Sequence, residues 1–176
     1  MIEKAASHSI VIRPAELGDE LAVARVHVRA WQAGYRGLMS DGYLKSLRAE
    51  DRAKRYTFGD VLASRPRTLV AVESALIVGF ATVAPAEGGN QSALAELNAL
   101  YVDPDYWKRG VGAMLESAAR TFLAERGYRN AMLWVLAGNV RAIGFYESQG
   151  WKSNGIFREA EVWGAKVTEI RFDRAL

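Results

Sequence analysis

Two glycines and two basic residues lie together in the stretch YWKRGVGAMLESAA, residues 106–119. Lys108 and Arg109 come directly before Gly110 and Gly112, and a helix-forming run follows them. Glycine inside a helix costs roughly 1 kcal/mol relative to alanine, so its use twice at a helix start needs a reason. The first amides of a helix lack internal partners and bind phosphate oxygens when no side chain shields them. The spacing fits an anion-binding site, and a helix start that merely tolerates glycine explains it equally well.

The stretch does not fit two common phosphate-binding patterns. The Walker pattern GxxxxGK[ST] is absent around Gly110. The dinucleotide pattern GxGxxG begins at Gly110, but Leu115 stands where its third glycine belongs. A phosphate ligand of this chain would therefore be held in another way.

Glu96 and Tyr146 are residues whose types suit proton transfer. Glu96 lies in an otherwise apolar segment, AELNALYV, where we expect burial to raise its pKa toward the range of a general base. The alternative is that Glu96 and Asn98 form the polar face of a half-exposed strand. The hydroxyl of Tyr146 is neutral at pH 7 and can donate a proton. The alternative is that Phe145 and Tyr146 both pack beneath the sheet.

The elements that must position these residues alternate between strands and helices. Apolar alternation and turn residues predict strands at 10–12, 68–72, 75–83, 94–102, 131–136, 153–158 and 167–172. Helical spacing predicts helices at 19–31, 41–56, 110–125 and 139–149. A hairpin is expected around Glu73 and Ser74, and PAEGGN, residues 85–90, is a predicted turn cluster. The order predicts one mixed α/β domain over residues 1–176, with a central strand–helix–strand unit.

Composition excludes several function classes. The 176 residues are half hydrophobic and carry a net charge of +3, with acidic and basic residues dispersed, so no nucleic-acid partner is expected. The absence of cysteine excludes disulfides and thiolate catalysis. Two histidines far apart give no metal-ligand spacing, so no metal is expected. No apolar run reaches the length of a membrane span, and charge returns at Arg13, so a cytoplasmic protein is expected.

Two segments resemble the GCN5-related N-acetyltransferase (GNAT) superfamily. Residues 99–118, ALYVDPDYWKRGVGAMLESA, resemble its acetyl-CoA-binding segment, in which [Gln/Arg]-x-x-Gly-x-[Gly/Ala] follows a strand and opens a helix. Trp107 replaces the usual Gln or Arg there. Residues 139–151, NVRAIGFYESQGW, resemble the superfamily's Asn-x-x-Ala-x-x-x-Tyr-x-x-x-Gly-Phe segment, with Trp151 at the aromatic position. The first strand and helix also resemble those of the superfamily, so the likeness covers nearly the whole chain.

The resemblance implies the fold and the donor site. The fold would be α/β (α+β): a mixed, mostly antiparallel sheet, flanked by helices and splayed between its fourth and fifth strands. The pantetheine arm of acetyl-CoA would lie in that gap against the backbone, with the pyrophosphate on the amides that open the helix. The implied cofactor-binding residues are Leu100, Tyr101, Val102, Lys108, Arg109, Gly110, Val111, Gly112, Ala113, Asn139, Ala142 and Tyr146.

The resemblance also implies roles in the reaction. Glu96 occupies the place of a strand glutamate that acts as base in several members, usually through water. Tyr146 occupies the place of the tyrosine that protonates the thiolate. The segment AWQAGYRGLM, residues 30–39, lies where the superfamily forms part of the acceptor pocket, so Trp31, Tyr35 and Met39 are candidate substrate-binding residues. Core packing explains Trp31 equally well.

The functional hypothesis is an acetyl-CoA-dependent N-acetyltransferase that transfers acetyl to a primary amine by direct attack in a ternary complex. The acceptor would be a small molecule or a protein or peptide amine, with no membrane partner. The alternative is a non-catalytic acyl-CoA-binding or sensor module, which would keep the glycines but need neither Glu96 nor Tyr146. Exposed aromatic residues at Trp151 and Trp163 would suit a homodimer interface.

Overall fold

The computed structural model describes residues 9–59, 66–86, 94–162 and 165–176. These residues form a seven-stranded sheet in the order β1-β2-β3-β4-β5-β7-β6. The strands are β1 (Val11–Pro14), β2 (Arg67–Glu73), β3 (Leu76–Pro85), β4 (Leu94–Val102), β5 (Asn130–Leu136), β6 (Lys152–Val162) and β7 (Ala165–Ala175). The helices are α1 (Glu20–Gly34), α2 (Asp41–Ser46), α3 (Ala49–Ala53), α4 (Val111–Ala124) and α5 (Val140–Ser148).

The sheet opens between its two central strands. Every neighbouring pair is antiparallel except β4 and β5, which are parallel. Their pairing covers Leu94 with Asn130, Ala95 with Ala131 and Glu96 with Met132, and the remainder of β4 pairs only with β3. The predicted mixed, mostly antiparallel sheet with a splay between strands 4 and 5 is confirmed.

Two apolar layers cover the two faces of the sheet. On one face, α4 and α5 pack over the strands, with Leu115 fully buried and Tyr146 nearly so. On the other face, α1 places Val23 and Val26 against Phe80, beside Tyr101. The sheet is therefore buried on both sides at its centre, where β3 and β4 lie.

Four predicted elements need correction. The helix predicted over 41–56 is two short helices, because Leu47 and Arg48 adopt extended backbone between α2 and α3. The hairpin between β2 and β3 turns at Ser74 and Ala75, both with positive φ, one residue later than predicted. The two closing strands are longer than predicted and join into an extended β6–β7 ribbon. The predicted turn cluster at 85–90 lies largely outside the described residues.

Trp151 is a core residue, which corrects its placement at an exposed dimer interface. Its side chain is only 2% exposed, and its indole Nε1 donates a hydrogen bond to Glu116 Oε1 at 2.9 Å. Glu116 is fully buried in α4. The same Oε1 atom also forms ion pairs with Arg120 Nε at 2.8 Å and Arg174 Nη1 at 3.4 Å. All three donors reach Oε1, whereas Oε2 is buried without a hydrogen-bond partner in the described part of the chain. Trp163 lies outside the described residues.

A register shift in β4 decides which side chains face α1. Thr82 of β3 pairs with Ala99, whereas the next residue, Val83, pairs with Leu97, so Asn98 is an extra residue in β4. Such a bulge reverses the alternation of side chains beyond it. Ala95 and Leu97 pack toward α4, whereas Tyr101 packs toward α1. Glu96, between Ala95 and Leu97, therefore shares its face with Tyr101.

No helix in the described part of the chain has both the length and the apolar character needed to cross a membrane.

Candidate acetyl-transfer site

A cavity of about 430 Å³ lies where β4 parts from β5. Its walls come from the end of β4, the start of α4 and one face of α5, with Ala30 of α1 at the margin. It is lined by Ala30, Leu100, Tyr101, Val102, Tyr106, Trp107, Lys108, Gly110, Val111, Gly112, Ala113, Arg141, Ala142, Phe145, Tyr146 and Gln149. Most of the residues that the sequence predicts as cofactor-binding thus meet in one place.

The start of α4 presents bare backbone to this cavity. Gly110 is the N-cap residue with φ of +81°, a left-handed conformation that favours glycine. The first helical hydrogen bond runs from the Met114 amide to the Gly110 carbonyl at 3.0 Å. The amides of Val111, Gly112 and Ala113 come before this bond and have no acceptor within the helix. They are therefore positioned to bind an anion.

Gly112 has a different reason to be glycine. A Cβ at this position would stand 3.3 Å from Cε2 of Phe145, which packs across from α5. That distance is tighter than ordinary contact, so Phe145 would have to move. Gly112 thus allows α4 and α5 to approach closely beside the cavity.

The basic residues before the glycines differ in what they contact. Lys108 lines the cavity with a positive φ of 60° and an exposed side chain. Arg109 pairs with Glu73 at 2.9 Å, and its guanidinium lies 4.5 Å from the ring centroid of Tyr106. The Arg109 side chain is therefore directed to β2, and only Lys108 of the pair lines the cavity.

The acidic residues that follow β4 are neutralised by Arg29 of α1. Its Nε lies 2.7 Å from Asp103 Oδ2, and its Nη2 lies 2.8 Å from Asp105 Oδ2. The paired carboxylates raise the pKa of Arg29, chiefly through the hydrogen bond to Asp103. These ion pairs reduce the repulsion that Asp103 and Asp105 would otherwise exert on an anion at α4.

Tyr146 lies in the cavity as a protonated phenol. Its side chain is 9% exposed, packed edge-on against Phe145 and Trp151. Burial, followed by the neighbouring Tyr101, raises its pKa well above the usual value of a tyrosine, so the hydroxyl keeps its proton. Within the described residues this hydroxyl makes no hydrogen bond.

Glu96 lies at the last paired position before the sheet opens. It is half-buried and pairs in register with Met132 of β5. The bulge at Asn98 places it on the same face as Tyr101, the face that α1 covers. Glu96 is not one of the cavity-lining residues; it borders the point where the two strands part.

The candidate substrate-binding residues differ in exposure. Trp31 is 2% exposed and packs edge-on against Tyr35, with ring centroids 4.6 Å apart, which supports its alternative role in the core. Tyr35 is not among the cavity-lining residues, but its hydroxyl lies 3.4 Å from that of Tyr101, which lines the cavity. Met39 is half-buried in the segment after α1. A Cβ on Gly138 would meet Leu38 at 2.9 Å, so this segment contacts the β5–α5 connection.

The comparisons with known proteins agree with this geometry. The model of the acetyltransferase (GNAT) family matches residues 29–151, which is more than half of the chain. The chain belongs to the GNAT family. Membership confirms the predictions of an N-acetyltransferase and of acetyl-CoA as its co-substrate.

Relatives and solved structures extend the likeness over the rest of the chain. YuaI of Bacillus subtilis, an uncharacterised N-acetyltransferase, is 28% identical over 79% of this chain and 78% of its own. Spermidine N(1)-acetyltransferase of Thermoplasma acidophilum is 25% identical over 82% of this chain and 89% of its own. The crystal structure of PaiA N-acetyltransferase from Thermoplasma acidophilum, in complex with coenzyme A, matches with a TM-score of 0.71. That match has 22% identity and covers 96% of this chain and 99% of the other, so it shows the fold.

A buried polar group supports Tyr101 of this acetyltransferase from beneath. The ring of His27 stacks on that of Tyr101 with centroids 4.4 Å apart, and its Nδ1 hydrogen-bonds the hydroxyl of Tyr56. Burial, then the charge of Arg52, lowers the pKa of His27 well below its usual value. His27 is therefore neutral at pH 7 and packs as a structural residue.

Two predicted cofactor-binding residues have structural contacts of their own. The side chain of Asn139 caps α5, because its Oδ1 accepts a hydrogen bond from the Ala142 amide at 3.1 Å. The carbonyl of Val102 accepts a hydrogen bond from the indole Nε1 of Trp107 at 2.8 Å. Each therefore helps to shape the cavity, whichever groups the donor contacts.

Sequence reasoning assigned no role to Arg141, although it lines the cavity. Its guanidinium carbon lies 3.6 Å from the ring centroid of Trp107. The available signal was spacing: Arg141, Phe145 and Gln149 recur every four residues along one face of α5.

In the described residues no group of three or more histidine, aspartate or glutamate side chains is placed to hold a metal ion.

Proposed function

We propose that this chain, as one catalytic domain over residues 1–176, transfers acetyl from acetyl-CoA to a primary amine by direct attack in a ternary complex. The observation that carries the proposal is that the bare start of α4 and Tyr146 share one cavity at the sheet opening. The anion site would hold the phosphates of acetyl-CoA, and the proton donor would lie near its thioester.

The donor would lie along the opening with its phosphates at α4. The amides of Val111, Gly112 and Ala113 would bind the pyrophosphate, helped by the positive end of the helix and by Lys108. The pantetheine arm would pass beside Leu100 and Tyr101, along the edge of β4 that β5 leaves unpaired beyond Glu96. Its thioester would then lie near Tyr146.

Acetyl transfer forms a C–N bond and breaks a C–S bond at the same carbonyl carbon. The amine nitrogen attacks the carbonyl, the tetrahedral intermediate collapses, and coenzyme A leaves as a thiolate. Tyr146 would protonate that thiolate, because its buried phenol retains a proton at neutral pH. The chain needs no nucleophile of its own in this sequence of steps.

Glu96 would accept the proton that the amine must lose. An alkylamine is protonated at pH 7, so attack requires a base in the site. Glu96 is half-buried and borders the opening on the face of Tyr101. Because it is not among the cavity-lining residues, we propose that it acts through an intervening water.

The acceptor would enter from the side of α1. Tyr35 and Tyr101 have hydroxyls 3.4 Å apart beside the cavity, and Met39 lies in the segment that follows α1. Two phenols and a thioether suit recognition of an amine carried on an alkyl chain. The core packing of Trp31 would hold Tyr35 in place.

The test is acetyl-CoA turnover across a panel of amines: a polyamine, free amino acids, an amino sugar and peptides with free N-termini. Release of coenzyme A that depends on one acceptor class, with acetyl on its nitrogen by mass spectrometry, is the expected result. Calorimetry on the same sample measures coenzyme A binding. Binding without turnover of any amine would support the non-catalytic acyl-CoA-binding module, and absence of binding would contradict both functions.

A further inference from the structure

Arg141 and Trp107 form a stacked pair in the wall of the cavity. The guanidinium carbon of Arg141 lies 3.6 Å from the ring centroid of Trp107. Trp107 is held in turn by its indole hydrogen bond to the Val102 carbonyl at 2.8 Å. Stacking on a fixed aromatic ring positions a guanidinium while leaving its N–H donors available.

The charge of Arg141 is not neutralised within the described residues, where it makes no hydrogen bond or ion pair. The neighbouring arginines differ, since Arg29 pairs with Asp103 and Arg109 pairs with Glu73. Desolvation lowers the pKa of Arg141, although the residue is exposed, so water still reaches its guanidinium. An arginine so placed, beside a cavity, has its donors free for an anionic ligand.

Arg141 lines the same cavity as the bare amides of α4. Residues four apart on a helix lie side by side, so Arg141 is one turn from Phe145 on the same face of α5. Phe145 packs against Gly112, where an added Cβ would be 3.3 Å from its ring. Gly34, at the end of α1, leaves room for the guanidinium, since a Cβ there would be 2.5 Å from one of its nitrogens.

We propose that Arg141, presented on the ring of Trp107, binds a phosphate group of the coenzyme and completes the anion site begun by the α4 amides. This inference rests on the proposed function only in taking acetyl-CoA as the donor. A forked guanidinium can donate two parallel hydrogen bonds to phosphate oxygens, which a single lysine cannot. The phosphate is either one of the pyrophosphate pair or the 3′-phosphate of the nucleotide.

The test compares Arg141→Gln with wild type against ligands that differ in phosphates. Dissociation constants are measured by calorimetry, using displacement for weak ligands, with coenzyme A, dephospho-coenzyme A, 4′-phosphopantetheine and pantetheine. We expect Arg141→Gln to weaken coenzyme A binding by about 10-fold to 100-fold, the scale of a hydrogen bond to a charged group. Pantetheine, which carries no phosphate, is expected to bind both proteins equally.

The other ligands identify the phosphate. A loss that persists with dephospho-coenzyme A and 4′-phosphopantetheine assigns the phosphate next to the pantetheine arm, and a loss that disappears with dephospho-coenzyme A assigns the 3′-phosphate. Arg141→Lys keeps the charge but lacks the forked guanidinium. Its coenzyme A affinity is expected to lie between those of wild type and Arg141→Gln. Arg25→Gln, an exposed arginine on α1, is the matched control and is expected to bind as wild type does.

Equal weakening of pantetheine and coenzyme A would overturn the proposal, because Arg141 would then act only through packing. Unchanged coenzyme A affinity in Arg141→Gln would overturn it as well. Both results require that the wild type binds coenzyme A, so they are distinct from failure of the proposed function, in which the wild type itself would not bind.

Discussion

The proposed donor side and the proposed acceptor side of the site offer different parts of the chain to their ligands. The donor side, made by the start of α4 and the open edge of β4, offers mainly backbone amides and carbonyls. The acceptor side, made by the end of α1 and the residues after it, offers side chains, among them Tyr35 and Met39. Backbone recognition requires bare glycines at fixed spacing, whereas side-chain recognition can change with any substitution. The donor is therefore the part of the reaction that such a fold holds constant.

The largest effect is expected from closing the backbone site on the donor side. Gly112→Asp would place a side chain against Phe145 and a carboxylate beside the phosphates. We expect coenzyme A affinity to fall on the order of 100-fold or more, since at least one hydrogen bond to a charged group is replaced by repulsion. Calorimetry measures the affinity, and thermal unfolding checks the fold.

Two control variants separate the effect of the added charge from the steric effect in that experiment. Gly112→Ala brings only a methyl group against Phe145, and a smaller loss is expected. Gly144→Asp places the same carboxylate on α5, where an added Cβ meets no atom within 4 Å, and normal binding is expected. If Gly112→Asp bound coenzyme A as tightly as Gly144→Asp does, the start of α4 would not be the phosphate site.

Tyr146→Phe tests the chemical end of the donor side. The change removes one hydroxyl from a buried ring, so folding and coenzyme A affinity should be nearly unchanged. Turnover should fall by about 100-fold or more, the scale of general acid catalysis. The measurement is kcat across pH, with Tyr128→Phe, a half-buried tyrosine away from the cavity, as the matched control. Full activity in Tyr146→Phe at every pH would reduce this tyrosine to a packing residue.

Glu96→Gln tests the boundary between the two sides, where base and amine would meet. Acetyl-CoA binding should persist, and kcat/KM should fall by about 10-fold to 100-fold near neutral pH. Part of the loss should return as pH rises toward 10, because the free amine then becomes abundant without a base. Glu125→Gln, at an exposed position just after α4, is the control. Profiles of the same shape and height for wild type and Glu96→Gln would show that Glu96 is not the base.

The smallest effect is expected on stability, through His27, which stacks on Tyr101 beside the proposed acceptor side. Its pKa lies well below the value of about 6.5 that it has in the unfolded chain, so below pH 6.5 the unfolded state binds more protons. Stability should therefore be fully present above about pH 6.5 and fall as pH falls, by up to about 1.4 kcal/mol per pH unit. Urea unfolding of wild type and His27→Gln between pH 7.5 and 5 measures the slope. A flat wild-type curve, or an equal slope in the variant, would contradict this linkage.

Sequence alone predicted the elements around the cavity well because their signals are local. The bounds of β4, the glycines that open α4 and the helix that follows Asn139 each depend on residues within a few positions of one another. The order of strands and helices was also largely predictable, because hydrophobic periodicity reports which face of each element is buried. The break between α2 and α3 was missed, since nothing in the residues around Leu47 prevents a helix and packing decides the backbone there.

Tertiary structure alone decided which of these residues meet. By simple alternation, Glu96 and Tyr101, five positions apart in one strand, would point to opposite faces; the bulge at Asn98 places both on the face of α1. Arg141 and Trp107 are 34 positions apart and stack only because α5 crosses beside the end of β4. Periodicity and motif spacing act over a few residues, whereas register between strands and contact between distant elements depend on how the whole core packs. The sequence therefore determined the two glycines and two basic residues that open α4, and the packed sheet decided which side chains surround them.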